Sequence, residues 1–350
     1  MYNYGIMQRN QHKSHCKHHF FARYSVSACF AALSAVVIIA AMTGCGGKET
    51  ADDGVTIAVV PMGTTHEYWK AIHAGAVKAS REFGVNVIWK GPLKEDDVDE
   101  QIQIFETLTA GNVSAFVLAP LDSRALIRPV RDAKRLGIPT VVVDSALEGE
   151  EHVSFVSTNN YRGGVLGAEY LGGLMGGKGK LILVRVQESA ASSTNREEGF
   201  LDTIKSKFPE IEILSDNQYG GITTESAYRT CENLLNRFPD VEAIFTPNES
   251  TTFGCLRALQ DRGRAGKILF VGFDSSDKLI EAMRNREIKG LVVQNPFKMG
   301  YTGVRIAVAN LRGEPFEERI DTGATVVTPE NMDEPDMANL LKPDLTPYLE

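Results

Sequence analysis

Between residues 55 and 293 the chain alternates short apolar runs, rich in Val and Ile, with longer stretches whose apolar residues recur at helical spacing. The apolar runs occupy 55–60, 85–89, 115–118 and 140–143, then 180–184, 212–214, 243–245, 268–271 and 290–293. Helical stretches fall between them at 69–83, 97–110, 123–136, 163–175, 196–208, 224–238, 252–262 and 277–285. Such regular alternation demands parallel sheets with helices on both faces. The strand runs are continuously apolar, as burial on both faces requires. An extra apolar run at 153–160 separates two series, so the expected fold class is α/β with two doubly wound parallel-sheet lobes. A length of 350 residues is about twice that of one domain and suits two lobes, each with its own core.

The segment before this alternation reads as an address, not as part of the fold. From Met1 to Tyr24 the charged side chains are Arg9, Lys13, Lys17 and Arg23, accompanied by four His; an apolar run over 26–42 follows and closes on Met42-Thr43-Gly44-Cys45. A basic start, an apolar centre and small residues at the end describe a secretory signal over 1–44. The closing tetrapeptide resembles the bacterial lipobox, in which the Cys is acylated and becomes the mature N-terminus. It implies lipidation at Cys45, a tether over 45–54 and a position on the outer face of a bacterial membrane, although Met42 stands where Leu is usual. An uncleaved anchor is the other reading of the run, and it too places the rest of the chain outside the cytoplasm.

Removing 1–44 takes away four basic side chains and no acidic ones, deepening the formal charge from −8 to −12. That balance opposes nucleic-acid binding, which needs a surplus of Lys and Arg on one face. Cys231 and Cys255 both fall in helical stretches and read as buried free thiols. No His, Cys or carboxylate spacing suggests a metal site or a resident cofactor.

In open α/β sheets ligands sit beyond the carboxyl ends of the strands. The segments there carry Tyr68, Trp69, Asp144, Arg196, Asn248, Asp274 and Gln294, a concentration of aromatic, carboxylate, amide and guanidinium groups. Any one of these polar residues could serve simply as a helix cap; their recurrence around both sheets points to a binding site.

Over 55–328 the sequence resembles the ribose-type periplasmic binding proteins, the sugar-binding subunits of bacterial ABC importers. The resemblance is carried by Val271-Gly272-Phe273-Asp274, by Phe238-Pro239-Asp240 leading to Asn248, by Gly137-Ile138-Pro139 leading to Asp144, and by Asn160 leading to Gly163-Gly164. Arg196-Glu197-Glu198-Gly199-Phe200 and Gln294 followed by Gly300 add to it. It implies a type I architecture with three hinge crossovers, near Thr158, Asn295 and Thr322. One lobe is expected over 55–157 plus 295–321, the other over 158–294 plus 322–330, with a tail at 331–350 extended over one lobe. It also implies a ligand-binding set of His66, Tyr68, Trp69, Asp144, Ser145, Thr194, Arg196, Asn248, Asp274 and Gln294. Rings suit the apolar C–H faces of a sugar, and carboxylates accept from its hydroxyls.

Three positions depart from the ribose pattern: Ser145 and Thr194 stand at Arg positions, and His66 replaces Asn. Ribose itself becomes doubtful as the ligand. Arg196 restores one lost guanidinium, or else is a helix-surface partner of Glu197 and Glu198.

The expected function is capture of a small sugar by hinge closure and its delivery, by a monomer, to an ABC permease, without catalysis. The alternative is a sensor of a non-sugar molecule such as a nucleoside or a furanose-like signal. A dehydrogenase is opposed by the absence of a Gly-x-Gly-x-x-Gly turn at 61–66, a secreted hydrolase by the absence of a Gly-x-Ser-x-Gly elbow. The glycines at 172–179 lack the order of a phosphate loop and read as a helix end.

Overall fold

The computed structural model describes residues 54–188 and 190–349, so the signal segment and Cys45 lie outside the described residues. The first series runs β1 (Thr56–Val60), α1 (Glu67–Phe83), β2 (Asn86–Trp89), α2 (Val98–Ala110), β3 (Ala115–Leu118), α3 (Ile127–Arg135), β4 (Thr140–Val143) and β5 (Ser154–Ser157). The second runs α4 (Asn160–Leu174), β6 (Lys178–Arg185), α5 (Ala191–Lys207), β7 (Glu210–Tyr219), α6 (Thr224–Arg237), β8 (Ala243–Phe245), α7 (Glu249–Asp261), β9 (Leu269–Phe273), α8 (Asp277–Arg284) and β10 (Gly290–Gln294). The chain then returns to the first sheet with α9 (Pro296–Arg312) and β11 (Arg319–Asp321), and crosses again to the second with β12 (Ala324–Val327) and α10 (Pro335–Leu341).

Two six-stranded sheets result, ordered β11-β5-β4-β3-β1-β2 and β12-β10-β9-β8-β6-β7. Every pairing is parallel except that of β10 with β12. Alternate residues of β1 show why the strands must be apolar throughout. Ile57 and Val59 pack with Trp69 and Ile72 on one face, Ala58 and Val60 with Phe105 and Phe116 on the other. Polar links tie the crossing segments together: Asn159 N–H donates to Asp321 Oδ1 (2.9 Å), and Thr158 Oγ1 donates to Gly323 O (3.2 Å). Among the described residues no helix is long and apolar enough to cross a membrane. Cys231 and Cys255 are buried and unbridged.

In each lobe glycines bring a helix pair into nearly direct backbone contact. A Cβ on Gly75 would lie 2.0 Å from Phe297 O, and one on Gly300 1.9 Å from Ile72 O, where α1 crosses α9. In the second lobe the same pairing joins α4 to α5: a Cβ on Gly164 would lie 1.9 Å from Arg196 O, and one on Gly199 2.1 Å from Tyr161 O. These contacts fix the N-terminal halves of α1 and α5, from which several cleft residues project.

The tail differs from the extended strap expected over one lobe. Met337, Leu340 and Leu341 recur at helical spacing and pack α10 onto the core of the second lobe. Ser275 Oγ donates to Leu341 O (2.9 Å), and Lys342 pairs with Asp277 (2.6 Å). The chain then reaches the first lobe, where Arg81 donates to Pro347 O (2.6 Å) and the Tyr348 ring lies 5.4 Å from Phe297.

Candidate functional site

The loops beyond the carboxyl ends of both sheets face one another across a cleft with an empty volume of about 610 Å³, mouth included. The first lobe supplies Met62, His66, Tyr68, Trp69, Glu95, Leu121 and Asp144 to its wall. Arg196, Asn248, Glu249, Asp274 and Gln294 are the main polar side chains from the second.

Asp144 and Asp274 occupy equivalent places in the two sheets, one residue beyond β4 and one beyond β9. Both have left-handed backbone, φ 64° and 66°, a conformation that Asp tolerates better than most residues. Each amide donates across to the neighbouring strand, Asp144 to Val156 O (3.0 Å) and Asp274 to Val292 O (2.9 Å). The main-chain bond and the turn together hold each carboxylate at the cleft. Asp144 accepts from Tyr68 Oη (2.5 Å) and Asp274 from Gln294 Nε2 (2.7 Å). Burial pushes both acids up, Asp274 to about 6, against the opposing pull of Arg196 and their hydrogen-bond donors.

Arg196 is 3 % exposed, which excludes the surface role beside Glu197 and Glu198. Its Nε donates to Asn160 Oδ1 (2.8 Å) and Nη1 to Pro247 O (2.9 Å), with Asp274 Oδ2 3.8 Å away. The guanidinium lies 4.0 Å from the centre of the Phe273 ring. Asn248 combines the capping and site readings: its Oδ1 accepts from Thr251 N–H (3.0 Å) at the start of α7, while the residue also lines the cleft.

His66 precedes α1 without capping it through its side chain. Its Nδ1 lies 3.4 Å from Glu249 Oε2 of the opposite lobe, and its Nε2 lies 3.9 Å from Glu95 Oε1. The first contact is an ion pair across the cleft, long for a hydrogen bond, and Glu249 Oε2 has no other donor. The Glu249 carboxylate, aided by Glu95, overrides the effect of burial and raises His66 from 6.5 to about 9. A raised His favours folding fully below its unfolded value of about 6.5, and the benefit disappears as pH rises through about 9.

The unliganded protein is therefore expected to lose about 1–2 kcal/mol between pH 6.5 and 9, after allowance for screening of a partly exposed side chain. That corresponds to about 2–4 °C or slightly more in melting temperature. Scanning calorimetry across this range checks it: His66→Gln should flatten the slope, and equal slopes in both proteins would remove His66 as the titrating group.

A periplasmic binding protein domain matches residues 57–315, most of the chain. The chain belongs to this family. The D-allose-binding periplasmic protein of Escherichia coli is 28% identical over 259 residues, covering 72% of this chain and 83% of that protein. A carbohydrate transporter solute-binding protein from Agrobacterium radiobacter, solved in complex with D-arabinose, has a TM-score of 0.79 and 32% identity, covering 83% of this chain and 99% of that one. The periplasmic component of an ABC-type sugar transport system from Hahella chejuensis has a TM-score of 0.74 and 34% identity, covering 78% and 99%.

In this periplasmic binding protein the cleft gathers eight of the ten side chains singled out in the sequence: His66, Tyr68, Trp69, Asp144, Arg196, Asn248, Asp274 and Gln294. Ser145 and Thr194 are not among the residues that line it. Ser145 is buried just beyond Asp144, its N–H bonded to Val143 O (2.8 Å). Thr194 sits on α5 midway between Ser192 and Arg196, and helical geometry turns it away from the face those two present to the cleft. Glu95, Ser192, Ser193, Glu249 and Ser250 line the cleft without having been singled out. Glu95 follows β2, at a strand end where the same topological rule applies.

Proposed function

We propose that this periplasmic binding protein captures a monosaccharide between its lobes outside the cytoplasm and delivers it to the permease of an ABC importer, without altering it. The observation that carries this reading is the matched pair of aspartates, one just beyond the third strand of each sheet in the order given, facing a shared cleft that also carries Tyr68 and Trp69. Carboxylates accept from hydroxyls, and ring faces cover the apolar side of a sugar. Support also comes from relatives named for D-allose binding and solved with D-arabinose.

Contacts made by both lobes at once favour the closed state, and a permease that recognises this state receives a population shift set by the ligand's differential affinity. Eight side chains, from His66 to Gln294, are proposed as the ligand contacts; Ser145 and Thr194 act by shaping the backbone and helix beside them. Acyl chains on Cys45 keep the monomer at the membrane beside its permease.

A thermal-shift screen of the purified protein against pentoses, hexoses, deoxy sugars, polyols, nucleosides and amino acids tests the reading. Ligand at about 100 times its Kd stabilises the native state by about 2.7 kcal/mol, a readily measured shift. A sugar that raises the melting temperature supports the proposal. A nucleoside or amino acid that does so while every sugar fails would overturn the ligand class.

A further inference from the structure

We infer that the ligand carries a positively charged nitrogen, as an amino sugar or an amine-bearing polyol does. This rests on the reading of the protein as a sugar binder and narrows it. Four carboxylates line the cleft, Glu95, Asp144, Glu249 and Asp274, against one guanidinium, Arg196, and one imidazole, His66. Each cation is shared. His66 serves both Glu95 and Glu249, while Arg196 lies 3.8 Å from Asp274 and acts on Asp144 only from farther away. Fully ionised, the four carboxylates exceed the two cations by two charges, and burial raises Glu95, Asp144 and Asp274 against that ionisation, a cost that a neutral ligand leaves in place and a cation relieves.

The hydrogen-bond inventory points the same way. The Tyr68 hydroxyl, the Trp69 Nε1–H, the Gln294 amide and two Arg196 nitrogens already donate within the protein. Of the wholly buried side-chain atoms left without a partner, those on this wall are both acceptors. Gln294 is 2 % exposed, lines the cleft, and its Oε1 has no hydrogen-bond partner; Glu249 Oε2 also lacks one. An ammonium offers three donors and no acceptor, the complement of this wall. A metal ion fits less well, since among the described residues no group of three or more His, Cys, Asp or Glu is placed to hold one.

Isothermal titration of the purified protein with matched sets settles the matter: D-glucosamine with D-glucose and N-acetyl-D-glucosamine, then the galactose and mannose counterparts. In at least one set the amine is expected to bind about tenfold tighter than both neutral members at pH 6.5. At pH 9, where the amine is largely neutral, that ratio should shrink, with the neutral sugar as reference for any change in the protein. Asp144→Asn and Glu95→Gln should also narrow the ratio.

Neutral sugars that bind as tightly as their amines, or a set in which only neutral members bind, would overturn the inference while leaving sugar capture intact. If no member of any set binds and a nucleoside or amino acid does, the inference fails together with the sugar reading.

Discussion

Asp274→Ala is expected to lower ligand affinity by about a hundredfold or more, about 3 kcal/mol, and to abolish ligand-induced compaction in small-angle scattering. The substitution removes a charged acceptor and leaves Gln294 Nε2 without the partner it holds at 2.7 Å. It also takes from Arg196 the carboxylate 3.8 Å away. Folding should suffer much less than binding. Burial pushes the Asp274 carboxyl up to about 6, so the unliganded protein already holds its ionised form against a desolvation cost that Ala does not carry. Asp274→Asn keeps the residue type suited to the left-handed turn at φ 66° and should retain the fold while losing the charge. Compaction that persists in the Ala variant would remove Asp274 from the ligand contacts.

Gly164→Ala is expected to destabilise the protein by about 3 kcal/mol or more, the opposite sign from the usual gain when Ala replaces Gly in a helix. The added methyl would stand 1.9 Å from Arg196 O and 2.8 Å from Phe200 N, both main-chain atoms that side-chain rotation cannot move aside. Relief requires α4 and α5 to separate, and α5 carries Ser192, Ser193 and Arg196 into the cleft. Denaturant unfolding and ligand titration should therefore both register the change. Gly173→Ala is the control, because a Cβ there meets nothing within 4 Å. Similar stabilities for the two variants would show that the helices part without cost.

The central strands were legible in the sequence because burial on both faces leaves no room for polar side chains, as in Val117 and Val142 at 0 % exposure. The edges were harder to see. β7 alternates Glu210, Ile211, Glu212 and Ile213 because one face meets solvent, and only its apolar centre stood out. β11 and β12 are short and half-exposed, with little apolar periodicity to detect.

The cleft followed the same physics. Asp144 and Asp274 follow the most apolar strands and were found with them. Ser192, Ser193, Glu249 and Ser250 sit in first helical turns built from small or polar residues, whose composition gives a weak helical signal. Both helices consequently start three to five residues before the stretch that the apolar period marks, at Ala191 and Glu249. Glu95 hides in the charged run Lys94-Glu95-Asp96-Asp97, which reads as a solvated loop until the fold turns it onto Trp69 Nε1 at 2.5 Å.

The tail anchored on both lobes gives the molecule a preferred direction of opening. It passes beside the crossings at Asn295 and at Thr322-Gly323, so separating the lobes there would have to break the Arg81–Pro347 bond or lift α10 from its core. The opposite rim carries no such restraint from this segment. Relative motion of the lobes is thereby biased: the rim remote from the tail is the side this segment leaves free to part.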